Sequence, residues 1–162
     1  MASLTQSLPE ALKTLRVQPL FVIRLEVPPL FVVGQTPDAD RRIGVIQGGA
    51  FEGERLSGTV LSGNDWQAVR HDSCTKLDVR LLLRTTDGTL IGMSYQALRA
   101  GSAAILEKLD KGEPVDPTSY YFRMNPTFET QTGKYDWMNR IIAVGTGHRL
   151  AESPLYSIFE VL

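Results

Sequence analysis

The sequence predicts an all-β protein, an antiparallel β-barrel of about eight to ten strands with a central cavity and one or two short helices. Three observations lead to this prediction. Short runs of alternating apolar and polar residues recur along the chain, turn residues separate them at regular intervals, and one segment has a clear helical pattern. The sequence lacks the alternation of strands and helices that a parallel sheet requires.

The predicted strand over residues 76–84 has the clearest pattern. Leu77 and Val79 share its apolar face, while Asp78 and Arg80 share the opposite face. Weaker alternation, bounded by turn residues, predicts further strands over residues 20–27, 30–34, 41–47, 56–61, 66–70, 90–97, 120–125, 135–144 and 157–162.

Turn and helix signals lie between these strands. Residues 62–65 are predicted to form a turn, and the Asp-Gly pair within residues 85–89 predicts a hairpin turn. A helix is predicted over residues 102–111, because Ser102 can cap its start and Gly112 can end it.

Length and composition favour one domain. The chain has 162 residues, of which 43% are hydrophobic, so it can bury a core without disulfide bonds. We therefore predict one domain over residues 1–162, in which residues 1–17 form an N-terminal extension that can include a short helix.

Charge and hydropathy exclude several classes of protein. The net charge is −1 and no basic block occurs, so binding to nucleic acid is not expected. The apolar runs are too short to span a bilayer, and the N-terminus does not resemble a signal peptide. We expect a soluble cytoplasmic protein whose partner is a small molecule, and the sequence leaves open whether it forms a homo-oligomer.

The sequence indicates neither a metal site nor a cofactor site. Cys74 is the only cysteine, and the two histidines, His71 and His148, are far apart in the chain. There is no glycine-rich phosphate loop and no Gly-x-Ser-x-Gly motif. We therefore expect chemistry that requires neither a metal nor a cofactor.

Charged and aromatic residues share the faces of several predicted strands. Asp78 and Arg80 lie on one face of their strand, and Tyr121 and Arg123 lie on one face of another. Such mixtures line small-molecule pockets, but alternating charge is also typical of a solvated sheet face. Strand parity predicts that Asp78 and Arg80 point in the same direction, without deciding whether that direction is inward.

A series of spaced motifs makes the sequence similar to a known family. The motifs are residues 46–53, 58–66, 77–80, 85–88, 120–123, 126–130, 135–140 and 144–147. In this order they resemble the domain of unknown function family 3237, also called uncharacterised protein family 0311, over about residues 18–162. The resemblance implies a compact antiparallel β-barrel with a central cavity. Some members lie near genes for secondary metabolism or aromatic breakdown, which implies an enzyme that acts on small molecules.

Our leading hypothesis is a cofactor-independent acid/base enzyme, a cyclase, isomerase or lyase that acts on a small aromatic or polyketide-like molecule in the barrel cavity. The alternatives are a non-catalytic small-molecule carrier and a structural or partner-binding module. In the leading hypothesis, Glu129 or Asp78 is the general base, and a dry cavity would raise its pKa.

The other candidate residues have supporting roles in this hypothesis. Arg80 or Arg123 would stabilise a developing enolate or phenolate, and Tyr121 or Tyr95 would donate a proton. The expected substrate-binding residues are the wall residues Trp66, Phe128 and Trp137, the orienting residue Asn139, and Arg42.

Overall fold

Eleven strands form one antiparallel sheet in the computed structural model, which describes residues 3–162. The strands are β1 (Val17–Glu26), β2 (Phe31–Gln35), β3 (Asp40–Ile46), β4 (Gly48–Glu52), β5 (Ser57–Val69), β6 (Cys74–Thr85), β7 (Leu90–Ala100), β8 (Tyr121–Met124), β9 (Thr127–Thr130), β10 (Ala143–His148) and β11 (Leu155–Val161).

Eight of these strands close into a barrel, in the order β5-β4-β1-β11-β10-β8-β7-β6. Pairing of β5 with β6 closes the barrel, which leaves no open edge among these eight strands. Strands β2 and β3 extend the sheet beyond β5, and β9 pairs with β7 outside the main path. The predicted antiparallel β-barrel is therefore confirmed.

Two short α-helices accompany the barrel, α1 (Leu4–Ser7) and α2 (Ala103–Asp110). The Ser102 side chain accepts a hydrogen bond of 3.3 Å from the Ile105 amide, and Gly112 follows α2 with φ +73°, as the predicted cap and stop require. Residues 1 and 2 of the predicted N-terminal extension lie outside the described residues. None of the helices within residues 3–162 has the length and apolar character needed to cross a membrane.

The predicted turn over residues 62–65 is wrong, because these residues belong to the continuous strand β5. Ser62, Gly63 and Asn64 favour turns, but β3 and β6 flank this half of β5 and provide partners for its backbone groups. A register shift between Val60 and Ser62 marks a β-bulge just before it. Tertiary pairing thus overrides the local turn signal.

The predicted strand over residues 135–144 is also wrong. Its first part forms a 3₁₀ turn, Asp136–Arg140, and β10 begins only at Ala143. Met138 of this turn is buried and packs into the closed end of the barrel. Asn139 pairs with the backbone of Thr130, which holds the turn against β9, a strand that was not predicted.

The core fills one end of the barrel more fully than the other. Phe21 packs against Phe51 and Phe128, with ring centroids 5.4 and 6.0 Å away. Strand β7 starts beside this aromatic cluster, where Ile91 and Met93 are fully buried, and ends at the opposite end of the barrel, where it carries Arg99. The closed end is therefore a packed core, and the opposite end is where polar residues enter the interior.

Candidate functional site

A cavity of about 770 Å³ opens at the end of the barrel opposite the aromatic cluster. Its walls combine an apolar part with a set of charged and polar groups, which is typical of small-molecule sites. The apolar part includes Leu25, Val27, Leu30, Ile46 and Leu77. The buried polar residues of the lining are Asp65, Gln67, Arg99 and Tyr156, whereas Arg149 is half-buried and Glu26 and Glu152 are exposed.

Asp65 and Gln67 enter the cavity from β5. They alternate with Trp66, which points outward and is 47% exposed, whereas Asp65 is 7% exposed. Gln67 Nε2 donates a hydrogen bond of 2.6 Å to Asp65 Oδ2. The second carboxylate oxygen, Oδ1, is buried and has no hydrogen-bond partner among the described residues. A buried carboxylate oxygen without a hydrogen bond lowers the stability of a folded protein. Its presence here therefore indicates a functional role for Oδ1.

Burial raises the pKa of Asp65 from 3.8 to about 6. The hydrogen bond from Gln67 and the positive charges of Arg99 and Arg149 oppose this rise without cancelling it. A carboxyl group with a pKa near 6 can both accept and release a proton close to neutral pH, which is the property that general acid/base catalysis requires.

Arg99 enters the cavity from β7 and is 4% exposed. Its guanidinium carbon lies 5.6 Å from the centre of the Phe122 ring, a cation–π arrangement. Its Nε atom is buried without a hydrogen-bond partner among the described residues. Burial, with a further contribution from the charge of Arg149, lowers the pKa of Arg99 below its usual value, although a guanidinium keeps its proton at neutral pH.

The position of Phe122 depends on close approach of β10. A Cβ atom added at Gly147 would lie 2.5 Å from the Phe122 ring, closer than van der Waals contact permits. Glycine at this position therefore lets the ring lie against β10, and the Arg99 guanidinium lies over the same ring. This stack connects a backbone position in β10 with a charged side chain in the cavity.

Arg149 and Arg42 lie nearer the mouth of the cavity. The Arg149 amide donates a hydrogen bond of 2.9 Å to the Tyr120 hydroxyl, and its guanidinium donates to the carbonyl of Ala151 at 3.3 Å. Arg42 pairs with Asp40 at 3.0 Å and Asp110 at 3.5 Å, which joins β3 to α2. Arg42 thus lines the cavity with a charge that two carboxylates already balance.

Tyr95 and Tyr156 form the inner boundary of the site. Both are buried, with ring centroids 6.1 Å apart, and Tyr156 lines the cavity itself. Burial raises the pKa of each phenol well above its usual value of 10. Both hydroxyls therefore stay protonated at neutral pH. A hydrogen bond between the two phenols raises the pKa of Tyr95 and lowers that of Tyr156, so Tyr95 is the donor of this bond and the Tyr156 hydroxyl remains available to donate.

The structure does not bring the predicted catalytic residues to this cavity. The expectation that they converge on the interior is wrong, because the apolar residues between them take the inward positions of the strands, as Val79 does in β6 and Phe122 in β8. The candidates that lie exposed on the outside of the barrel are Asp78, Arg80, Tyr121, Arg123, Glu129 and Trp66.

Three of the predicted substrate-binding residues lie at the closed end instead. Phe128 belongs to the aromatic cluster, and Trp137 packs beneath Arg55, whose guanidinium carbon is 4.1 Å from the indole centre. Asn139 hydrogen-bonds both backbone groups of Thr130. Of the predicted residues, only Arg42 and Tyr95 lie at the cavity or beside it.

Sequence reasoning missed Asp65 and Arg99 for identifiable reasons. The local pattern places Asp65 in a turn, and it ends the strand that carries Arg99 at residue 97, three residues before β7 ends at Ala100. The usable signal was parity: Arg99 continues the buried series of Tyr95 and Ala97. Gln67, Arg149 and Tyr156 had no comparable signal, because their role depends on how distant strands meet.

The described residues contain no cluster of three or more histidine, cysteine, aspartate or glutamate side chains arranged to hold a metal ion. The buried polar groups of the cavity are the carboxylate of Asp65, the amide of Gln67, the guanidinium of Arg99 and the phenol of Tyr156. This donor set suits hydrogen bonding and charge stabilisation of an organic ligand better than metal coordination.

The fold and the site define a closed antiparallel β-barrel with a polar pocket at one end. The chain belongs to the family described as "Protein of unknown function (DUF3237)", whose model matches residues 15–161. It is 34% identical to the UPF0311 protein RPA1785 of Rhodopseudomonas palustris over 150 residues, which covers 92% of this chain and 98% of the relative. The family that the motifs indicated is therefore confirmed.

Solved structures show the same fold. The crystal structure of RPA1785 superimposes with a TM-score of 0.89. A β-barrel-like protein from Acinetobacter baumannii, 38% identical, superimposes with a TM-score of 0.81 and covers 97% of this chain and 100% of its own.

The name of a more distant relative states an enzymatic activity. The protein named "Hydroalkoxylation enzyme phnH" from Penicillium herquei is 24% identical over 142 residues, which covers 88% of this chain and 80% of the relative. The chain is therefore related, at a distance, to a protein described as an enzyme.

Proposed function

We propose that this protein is a cofactor-independent acid/base enzyme that adds an alcohol or phenol O–H group across a carbon–carbon double bond, or catalyses the reverse elimination. The substrate is a small aromatic or polyketide-like molecule bound in the cavity. The observation that carries this proposal is Asp65 Oδ1, a buried carboxylate oxygen without a hydrogen-bond partner in the part of the chain that the structure describes, in a group whose pKa is about 6. The distant relationship to a named hydroalkoxylation enzyme supports the reaction class.

The proposed reaction needs a proton carrier and no redox partner. Asp65 takes the proton from the substrate hydroxyl, and the oxygen then forms a bond to one alkene carbon. The proton returns from Asp65 to the other alkene carbon, so an O–H bond and a π bond are exchanged for a C–O and a C–H bond. No electrons are gained or lost overall, which is why this chemistry can proceed with side chains alone.

Arg99 and Tyr156 support this reaction by stabilising negative charge on the substrate. The Arg99 guanidinium is held in a dry environment, where a fixed positive charge acts more strongly than in water. The Tyr156 hydroxyl stays protonated and lines the same cavity, so it can donate a hydrogen bond to a substrate oxygen. Gln67 positions the Asp65 carboxylate through Oδ2 and leaves Oδ1 free for the proton.

The test is an addition reaction carried out in D₂O. We expect the enzyme to cyclise an ortho-alkenyl phenol, with 2-allylphenol and 3-allyl-2-hydroxybenzoate as probes. The product should contain one carbon-bound deuterium and be one mass unit heavier after its exchangeable protons are returned to H₂O. Asp65→Asn should lower the rate at least 100-fold, within the range of general acid/base effects.

The comparison variant is Asp78→Asn, which makes the same chemical change on the outside of the neighbouring strand β6. Loss of rate in the Asp65 variant alone would support the proposed site. Equal loss of rate in both variants would contradict Asp65 as the general base and would favour a site on the exposed face of the barrel. If the unmodified enzyme binds the probe and the probe is recovered without deuterium, this result would contradict catalysis and favour a carrier.

A further inference from the structure

We propose that the cavity selects monoanionic ligands that carry both an anionic oxygen and a free hydroxyl group on an apolar skeleton, with the hydroxybenzoates as the simplest examples. This inference rests on the proposed function, which identifies the cavity as the substrate site, and it adds the class of substrate. It follows from three features of the cavity: two buried polar atoms whose hydrogen-bonding capacity is unsatisfied among the described residues, one positive charge in excess, and an apolar wall.

The two unsatisfied atoms define complementary ligand groups. Among the described residues, Arg99 Nε is a buried hydrogen-bond donor without a partner, and Asp65 Oδ1 is a buried acceptor without a partner. Arg99 therefore requires an acceptor, preferably a charged oxygen, and ionised Asp65 requires a donor such as a hydroxyl. A ligand with both groups satisfies both atoms at once.

Asp65 and Arg99 leave room for such a ligand because they do not pair with one another. None of the ion pairs within residues 3–162 joins these two side chains. They approach the cavity from β5 and β7, strands that are separated by β6. Each nevertheless shifts the pKa of the other, so both belong to the same electrostatic site.

The charge balance of the inner cavity favours a single negative charge on the ligand. Among the buried and half-buried groups, Arg99 and Arg149 contribute two positive charges and Asp65 contributes one negative charge, which leaves one positive charge in excess. Glu26 and Glu152 also line the cavity, but both are exposed, so solvent screens their charges. Arg42 does not add to this excess, because Asp40 and Asp110 pair with it. A monoanion would neutralise the site, whereas a neutral ligand would leave buried positive charge uncompensated.

The apolar part of the wall sets the character of the ligand skeleton. Leu25, Val27 and Leu77 face the same space as the charged groups. A volume of about 770 Å³ lies within the range of sites for small organic molecules. An aromatic ring with substituents would bury apolar surface against these residues while its polar edge meets Asp65 and Arg99.

The first part of the test is a ligand series on the unmodified protein, measured by isothermal titration calorimetry. The probes are 2-, 3- and 4-hydroxybenzoate, followed by two analogues of the isomer that binds most tightly. Its methyl ether lacks the hydroxyl donor, and the corresponding hydroxybenzyl alcohol lacks the anion. We expect each analogue to bind at least tenfold more weakly, as loss of a hydrogen bond to a charged group predicts.

Two outcomes of this series would overturn the inference. One is equal affinity for the hydroxybenzoate and both analogues, and the other is the absence of saturable binding for all three isomers. Neither outcome depends on a variant, so a substitution that fails to fold cannot obscure the result.

The second part of the test uses a matched pair of variants. Arg99→Gln removes the buried charge, and Arg84→Gln makes the same change on the exposed face of β6. We expect only Arg99→Gln to weaken hydroxybenzoate binding at least tenfold, with a much smaller effect on the neutral benzyl alcohol. Similar losses for the charged and neutral ligands would contradict an anion-binding role for Arg99.

This inference and the proposed function can fail separately. Selective binding of hydroxybenzoates, combined with recovery of 3-allyl-2-hydroxybenzoate without deuterium, would contradict the enzyme and leave the ligand class intact. Asp65-dependent deuteration of neutral 2-allylphenol, without any preference for hydroxybenzoates, would contradict the ligand class and leave the enzyme intact.

Discussion

Asp65 on β5 and Arg99 on β7 reach one cavity from either side of β6, and each retains a buried polar atom without a hydrogen-bond partner within residues 3–162. Buried polar groups in folded proteins are nearly always satisfied. Two exceptions in the same cavity are therefore best explained by a ligand that satisfies both. The pair also imposes a cost on stability that can be measured without knowing the ligand.

The first prediction is that Asp65→Asn stabilises the protein at pH 8. Burial raises the pKa of Asp65 from 3.8 to about 6, so the folded state holds its proton more tightly than the unfolded state. The wild type therefore loses stability as the pH rises from about 4 to above 6, and asparagine avoids this loss. Chemical unfolding at pH 8 should show a gain of up to about 3 kcal/mol for the variant.

The comparison is made across pH. The advantage of the Asp65→Asn variant should shrink as the pH falls and disappear below about pH 3, where Asp65 is protonated in both the folded and the unfolded state. A pH-independent difference between the two proteins would contradict a raised pKa for this carboxyl group.

The second prediction concerns the pH dependence of catalysis. If ionised Asp65 is the base, log kcat/KM should rise with pH and level off above about pH 6. Gln67→Leu should move this midpoint to higher pH, because the hydrogen bond from Gln67 lowers the pKa of Asp65. Gln96→Leu, on the exposed face of β7, serves as the control and should leave the midpoint unchanged. A midpoint that stays in place in the Gln67 variant would argue against Asp65 as the titrating group.

The third prediction is that Phe128→Ala affects stability and not binding. Phe128 is 6% exposed and packs against Phe21 at the closed end of the barrel, remote from the cavity. Its truncation should cost about 3–5 kcal/mol of unfolding free energy. The affinity for hydroxybenzoate should stay within twofold of the wild type. A large loss of affinity in a folded variant would instead support the sequence-based expectation that Phe128 contacts the substrate.

The fourth prediction links a backbone position in β10 to the cavity. Alanine at Gly147 would place its Cβ atom 2.5 Å from the Phe122 ring, so the ring must move and Arg99 loses its support. We expect a loss of about 1–3 kcal/mol in stability, as for other overpacked cores, together with weaker hydroxybenzoate binding by calorimetry.

The control for this prediction lies in the same strand. Gly145→Ala would place its Cβ atom 2.8 Å from the side chains of Met124 and Ile158, neither of which supports Arg99. This variant should be destabilised as well but should bind hydroxybenzoate normally. If both variants lose affinity to the same extent, the effect comes from general destabilisation and not from the position of Phe122.

Local pattern was sufficient to predict most of the barrel. The strict alternation in β6, the Asp-Gly hairpin turn that follows it, and the caps of α2 all lie close together in sequence, and each appears in the structure as predicted. The motifs also indicated the correct family. Where local propensity conflicted with pairing, as in the Ser62–Asp65 segment, the prediction was wrong, because two neighbouring strands decided the outcome.

The site depended on tertiary structure to a much greater degree. Alternation along the chain places Asp78 and Arg80 on one face of β6, but this face becomes the solvated one only when the barrel closes. Asp65, Arg99 and Tyr156 come from three strands far apart in the chain, and their burial and raised or lowered pKa values exist only once those strands meet. The physical reason is that side-chain periodicity is a local property of a strand, whereas desolvation and charge depend on everything packed around it.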